Sequence, residues 1–401
     1  MQLVSPQIEK FQTSSSWIRR MFEAGIELKK RYGEDQVCDF SLGNPDLTPP
    51  PAVVDAMREL TSQVARPAGL GYMPNAGYPD VRAGLAAHLS REQQAPLQAA
   101  HVIMTCGAAG GINAFFRAVL TPGEEVICPA PYFVEYGFYA GNFGGVLRPV
   151  PSNPNGFHLD LDGIEQAITE KTRAVIINSP NNPSGVIYSE DELRRLAAIL
   201  DRATAKYNRP IFLISDEPYR FLAFDGATVP PMLPLYAYTV VIGSFSKNLA
   251  LAGERVGYIA VNPAMPGAET LLSGLTMTNR ILGFVNAPCI GQRLMLAALG
   301  TQADAAAYVS RRRKMAETLR AADIEFTLPD GTFYFFPKVP GNMPDVDFVK
   351  LLAEERILAV PGSGFGFPGY FRLALCVDER FIDTARPGFI NAARKARPDA
   401  P

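Results

Sequence analysis

Thr239-Val-Val-Ile-Gly-Ser-Phe-Ser-Lys247 is the stretch on which the reading of this chain turns. Its first five residues are apolar or small and rich in β-branched side chains, as a strand buried on both faces requires. A lysine then follows on the turn past the strand end, flanked by Ser244 and Ser246. Arg255 comes eight residues later, in Gly253-Glu-Arg-Val-Gly257. A strand-end amine among hydroxyls and a guanidinium suits imine (Schiff-base) chemistry with a phosphorylated aldehyde. The amine supplies the imine. The serines and the arginine supply donors for a phosphate dianion. Alone, the lysine of a Ser-x-Ser-Lys also has an ordinary reading, because most lysines are solvated surface charges.

The rest of the chain supplies the context. His101-Val-Ile-Met-Thr105, Glu125-Val-Ile-Cys128, Ala174-Val-Ile-Ile-Asn178 and Ile211-Phe-Leu-Ile-Ser215 are further short apolar runs. They read as parallel strands, separated by helical patterns such as Gly111 to Leu120 and Glu190 to Leu200. Tyr258-Ile-Ala-Val261 reads as an added antiparallel strand, since too few residues precede it for a helical crossover. After about residue 285 the pattern changes. Helices are expected at Gly291 to Leu299 and Asp304 to Ala322, and strands at Gly331 to Pro337 and Tyr370 to Leu375. The expectation is an α/β chain with a large domain at 46–284 and a smaller α+β domain built from 1–45 with 285–401.

Composition narrows the classes. The chain has 401 residues, 47% hydrophobic, with 38 basic and 40 acidic side chains and a net charge of −2. It lacks the basic runs of a nucleic-acid binder. No apolar stretch reaches membrane-spanning length, and Met1 to Lys10 lacks the pattern of a signal peptide. Cys38, Cys106, Cys128, Cys289 and Cys376 show no pairing or metal-ligand spacing and fit a reducing, cytoplasmic setting. His88, His101 and His158 are not at metal-ligand spacing either, so no metal is expected.

In parallel sheets, ligands sit outside the carboxyl ends of the strands. Five successive strand ends here carry complementary groups. Gly107-Ala-Ala-Gly-Gly111 opens a helix whose backbone N–H groups can bind phosphate. Pro129-Ala-Pro-Tyr-Phe133 can lay an aromatic on a flat ring. Ser179-Pro-Asn-Asn-Pro-Ser-Gly185 offers the Asn182 amide to a ring oxygen. Asp216-Glu-Pro-Tyr219 offers a carboxylate for a pyridine nitrogen and a phenol for the ring hydroxyl. Lys247 completes the set. Each has an ordinary structural explanation alone; together they point to one site.

These motifs resemble those of the class I/II aminotransferases, pyridoxal-phosphate enzymes of fold type I in the aspartate aminotransferase superfamily. The resemblance rests on Asn181-Asn-Pro-Ser-Gly185, Asp216-x-x-Tyr219, Ser244-x-Ser-Lys247, Arg255 and Phe371-Arg-Leu373. It runs from about Ser41-Leu-Gly-Asn-Pro45 to Leu375. It implies a mostly parallel seven-stranded sheet and an aminotransferase moving an amino group between an L-amino acid and a 2-oxo acid. It also implies roles. Lys247 would be the Schiff-base lysine and proton carrier, and Asp216 the partner of the ring nitrogen. Tyr219 and Asn182 would bond the ring oxygen. Arg255, Ser244, Ser246 and the Ala108 and Ala109 backbone would hold the phosphate. Phe133 would stack on the ring, and Tyr72 would reach the phosphate of a partner subunit in a homodimer. Arg372, with Asn182 and the Gly43 backbone, would clamp the substrate α-carboxylate.

The sequence also departs from the family pattern. Ala108-Ala109 replaces the hydroxyl or lysine of many members, and Phe133 replaces a tryptophan or tyrosine. The second arginine of dicarboxylate-specific members is not evident in Ser273-Gly-Leu-Thr-Met-Thr-Asn279. Arg280 lies near but outside that register and reads as a surface or structural arginine. Two rival functions share the scaffold: a carbon–sulfur β-lyase on the same cofactor, and a non-catalytic cofactor-binding regulatory module. The latter calls for an attached DNA-binding domain, and no basic helix-turn-helix pattern precedes residue 41.

Overall fold

In a computed structural model of the chain, residues 3–13, 17–67 and 69–397 are described. Residues 1–2, 14–16 and 398–401, which fall within the expected small-domain segments, lie outside the described residues. A two-residue strand β1 (Cys38–Asp39) precedes the main sheet. That sheet contains β2 (Val102–Cys106), β3 (Glu125–Ala130), β4 (Val146–Pro151), β5 (Thr172–Asn178), β6 (Phe212–Asp216), β7 (Thr239–Ser244) and β8 (Val256–Val261), in the spatial order β2-β8-β7-β6-β5-β3-β4. Only β8 runs antiparallel to its neighbours. The carboxyl ends of the other six therefore share one edge.

The apolar runs form strands because both faces are covered. Val241 packs on one side with Val175, Ile177 and Leu213. Val240 and Ile242 pack on the other with Ala174, Ile176 and Ile214. This period-2 alternation fills two separate cores. Helix Glu190–Tyr207 covers the first face, opened by a reciprocal capping box between Ser189 and Glu192. Helices Gly107–Val119 and Ala268–Ile281 cover the second.

β4 has no counterpart among the strands expected from short apolar runs. Val-Leu-Arg-Pro-Val-Pro has two prolines and is largely exposed. It pairs only with β3, at the sheet edge, where missing N–H donors are tolerated.

The later elements are β9 (Tyr334–Phe335), β10 (Ile357–Leu358), β11 (Val360–Pro361) and β12 (Phe371–Ala374). β10 pairs with β1, and β11, β12 and β9 form a three-stranded antiparallel sheet. The strand expected over Gly331–Pro337 is thus only two residues long. Thr332 has φ +63°, a left-handed turn that delays the ladder. A third core joins Phe40, Tyr308, Met315, Phe348, Leu373 and Phe389, and it includes Tyr219 from the loop after β6. The two packed regions therefore meet at the strand-end edge of the large sheet.

Candidate active site

A cavity of about 280 Å³ opens at that edge. Its wall contains Gly43, Ala108, Ala109, Phe133, Asn182 and Asp216, and also Tyr219, Ser244, Ser246, Lys247, Arg255 and Arg372. Of the site residues to which the sequence points, only Tyr72 stands apart. It is 93% exposed.

The end of the cavity expected to take a phosphate rests on close backbone approach. Gly107 has φ +69°, and a Cβ there would lie 2.9 Å from Arg255 Nη2. A Cβ on Gly257 would come 2.5 Å from the Gly107 carbonyl carbon and 2.8 Å from the Ala108 nitrogen. Two glycines thus let the turn, the start of helix Gly107–Val119 and Arg255 converge. The hydroxyls of Ser244 and Ser246 come from the end of β7 and the turn after it. With Ala108 and Ala109 in that turn, donation there falls to backbone N–H groups.

The middle of the cavity carries the acid and its supports. Asp216, at the end of β6, is buried. Tyr136 Oη donates to its Oδ2, while its Oδ1 is buried with no hydrogen-bond partner. Burial raises its pKa to about 7, against the lowering effect of the Tyr136 hydroxyl; the neighbouring Glu217 charge adds to the rise. An orphaned, desolvated carboxylate oxygen fits a protonated ring nitrogen, which would satisfy it. Asn178 Nδ2 donates to the Asp216 carbonyl at 2.8 Å, and Asn178 Oδ1 accepts from the Asn182 backbone at 2.6 Å. One side chain thereby ties together the loops after β5 and β6.

Lys247 Nζ donates to the Gly43 carbonyl at 2.6 Å. Burial lowers its pKa to about 8; Cys376 opposes this, and the charges of Arg372 and Arg255 lower it further. Arg372 is 2% exposed on β12. Its Nη1 donates to Asn182 Oδ1 at 3.1 Å and its Nη2 to the Ser41 carbonyl at 2.6 Å. Its Nε has no hydrogen-bond partner, and among the described residues no carboxylate pairs with this guanidinium. A buried cation without an anion is costly unless an anionic ligand supplies the partner. Because Asn182 uses its oxygen on Arg372, its amide nitrogen stays available as a donor.

Two contributors carry little signal in the sequence. Tyr136 meets Phe133 edge-to-face at 5.6 Å as well as holding Asp216. Tyr334 lines the cavity with its hydroxyl 3.1 Å from that of Tyr219. Both are tyrosines in apolar surroundings, and only the fold shows where their hydroxyls point. Among the described residues no cluster of His, Cys, Asp or Glu could hold a metal ion, and no helix is long and apolar enough to cross a membrane.

Comparison with known proteins identifies the family. Residues 35–386 match the family of class I and II aminotransferases. A probable aspartate/prephenate aminotransferase from Thermus aquaticus is 31% identical, over 92% of this chain and 94% of its own. The crystal structure of an aminotransferase from Eubacterium rectale is 35% identical. It superposes with a TM-score of 0.94 over 99% of this chain and all of that one. The aspartate aminotransferase of Thermus thermophilus with maleate is 27% identical, with a TM-score of 0.86 over 98% of this chain and all of its own.

Proposed function

The chain belongs to the class I and II aminotransferases, pyridoxal-phosphate-dependent enzymes that move an amino group between an amino acid and a 2-oxo acid; on that premise we propose that the cavity between Lys247 and Arg372 is where the transfer takes place. When bound, pyridoxal phosphate supplies an aldehyde for imine formation and a ring that accepts the electron pair of a broken Cα–H bond.

The chain's own groups do the rest. Lys247 supplies the amine. Once the substrate amine has displaced it, the neutral Nζ would be the group that takes up the substrate Cα proton and carries it across to the cofactor's former aldehyde carbon. Asp216 Oδ1 keeps the ring nitrogen protonated. The Tyr219 hydroxyl and the Asn182 amide donate to the ring oxygen. Arg255, Ser244, Ser246 and the Ala108 and Ala109 amides hold the phosphate, and Phe133 covers a ring face. Arg372 grips the α-carboxylate with two prongs, with Asn182 and the Gly43 backbone beside it. The observation that carries this reading is Arg372, a buried guanidinium with no carboxylate partner in the cavity that holds the depressed-pKa lysine.

The two Thermus relatives named above are aspartate or aspartate/prephenate aminotransferases, but this cavity's cations are Lys247, Arg255 and Arg372, all assigned above. We therefore propose that neutral or aromatic amino acids serve at least as well as aspartate. Half-reactions of purified holoenzyme with a panel of L-amino acids, read from the cofactor band, test this. Conversion of the cofactor to its amine form supports transamination. Release of pyruvate with the aldehyde form retained would assign a β-lyase instead.

Asp216→Ala should weaken cofactor binding and slow proton transfer, since a neutral pyridine is a poorer electron sink. Equilibrium dialysis of the cofactor and the half-reaction rate measure both; a normal rate in this variant would remove Asp216 from the role.

We also propose two domains, 46–284 and 1–45 with 285–401. Helix Cys289–Ala297, whose Leu294 and Met295 pack in the large-sheet core, would be the connecting element. The assembly we propose is a homodimer. Tyr72 is almost fully exposed, as are large parts of Leu70, Met277 and Ile281. The segment around Tyr72 is tied to helix Ala268–Ile281, because Asn279 Nδ2 donates to the Asn75 carbonyl at 3.2 Å. A second copy would cover this apolar face and receive Tyr72 at its phosphate end. Sedimentation should give a dimer; a fully active monomer at assay concentration would overturn it. Five unpaired cysteines favour a reducing, cytoplasmic setting.

A further inference from the structure

Tyr334 stands outside the residues to which the sequence points, yet it touches three of them. It is buried in β9 and lines the cavity. Its hydroxyl is 3.1 Å from the Tyr219 hydroxyl. Its ring lies 4.6 Å from the Arg372 guanidinium carbon, with the Phe365 ring at 4.8 Å. Its hydroxyl also abuts Gly43, where a Cβ would fall 1.9 Å from the oxygen. A side chain at position 43 would push Tyr334 out of this place.

We infer that Tyr334 is a positioning residue coupling the two ends of the site: its hydroxyl sets the direction of the Tyr219 proton, and its ring holds the Arg372 guanidinium for the substrate carboxylate. This rests on the roles proposed above for Tyr219 and Arg372. Each phenol has one proton to give. If Tyr219 donates to the ring oxygen, it can meet Tyr334 only as an acceptor, so Tyr334 must be the donor. A hydroxyl that accepts a hydrogen bond is polarised and becomes a better donor in turn. The order is then Tyr334 to Tyr219 to the ring oxygen.

Both phenols remain protonated in this setting. Burial raises each pKa, for Tyr219 with the Tyr334 hydroxyl and the Asp216 charge adding and Arg372 opposing, for Tyr334 with Arg372 and the Tyr219 hydroxyl opposing and Cys376 adding. The pair therefore orients a donor and carries no proton away. Arg372 is held by two neutral acceptors, the Asn182 side chain and the Ser41 carbonyl, so the face of an aromatic ring is a natural further support.

The test uses holoenzyme carrying Tyr334→Phe, Tyr334→Leu, Tyr219→Phe or Tyr219→Phe with Tyr334→Phe. Two quantities are read. One is the pH midpoint of the cofactor's absorbance change. The other is the affinity for 3-phenylpropionate, a non-reacting carboxylate, from the same band. Weaker donation to the ring oxygen disfavours charge there, so both single phenylalanine variants should raise the midpoint, Tyr334→Phe by about half a unit. In the double variant the second removal should add nothing, because the relay is already cut. Tyr334→Phe keeps the ring and should bind 3-phenylpropionate as wild type does, whereas Tyr334→Leu should bind it about five- to thirtyfold more weakly.

An unmoved midpoint in Tyr334→Phe, with Tyr219→Phe shifted, overturns the coupling; so does a double-variant shift equal to the sum of the single shifts. Loss of thermal stability with no change in midpoint would leave Tyr334 a structural residue only. An unmoved midpoint in Tyr219→Phe removes the Tyr219 assignment and the coupling with it. Wild-type 3-phenylpropionate affinity in Tyr334→Leu overturns the support of Arg372.

Discussion

Lys247→Ala is expected to abolish turnover, by at least about 10⁴-fold, while leaving the fold intact. The lysine is the cavity's amine, and its Nζ donates to the Gly43 carbonyl at 2.6 Å. Alanine removes that contact but leaves the cores of both packed regions untouched. What disappears is the group that both binds the aldehyde and carries the proton. The setting explains why this lysine, rather than another, is the one expected to react. Burial disfavours its charged form first, Arg372 and Arg255 add repulsion, and the pKa falls to about 8. Near neutrality a usable fraction is therefore the nucleophilic free amine. Because the protonated form is the unreactive one, capture of pyridoxal phosphate by apoprotein should accelerate as pH rises through about 8 and then level off. Steady-state assays, a circular dichroism spectrum and the pH profile of reconstitution measure all three. A purified, folded Lys247→Ala enzyme that interconverts amino and oxo acids at the wild-type rate would remove Lys247 from the mechanism.

Most of the candidate residues that could be read in advance share a property: they follow a strand whose apolar run is unmistakable. Asp216 and Lys247 sit at or just beyond β6 and β7, so finding the strand found the site edge. Arg372 was legible for a related reason, as a charge inside the apolar run Phe371 to Ala374 that needs an anion. Tyr136 and Tyr334 were not, because a tyrosine in an apolar segment serves packing as readily as hydrogen bonding. Tyr136 reaches Asp216 across 80 residues and Tyr334 reaches Tyr219 across 115, distances over which local pattern carries no information. β4 escaped for the opposite reason: an edge strand needs no apolar run, and its prolines look like loop. The role given to Tyr72 depends on a second subunit, and the fold of one chain can only expose it.

Arg372 should prove necessary for every amino acid the enzyme accepts, since all present the same α-carboxylate. Losing a two-pronged, charge-assisted contact in a buried site should cost about 2–5 kcal/mol in kcat/KM, roughly 30- to 4000-fold. Arg372→Ala with alanine, phenylalanine and aspartate as donors should show the loss for all three. A variant that loses activity toward only one of them would assign Arg372 to side-chain recognition instead. The preference among donors is a separate matter, because it depends on what meets the far end of the substrate. Beyond the residues given roles above, the cavity lining includes Ile112 and Tyr139 but no cation without a role. Arg280 is exposed, at the end of helix Ala268–Ile281, with Nη2 3.3 Å from the Met277 sulfur. It lies outside this chain's cavity but on the face proposed to meet a second copy. From there it can reach only a partner's site, and in an exposed setting a long arginine has little to hold it toward one. Phenylalanine and alanine should therefore match or exceed aspartate in kcat/KM, and Arg280→Ala should change none of the three by more than about twofold. A strong aspartate preference that vanishes in Arg280→Ala would place this arginine on the distal carboxylate across the subunit interface, and the enzyme would be a dicarboxylate transaminase whose second anchor comes from its partner.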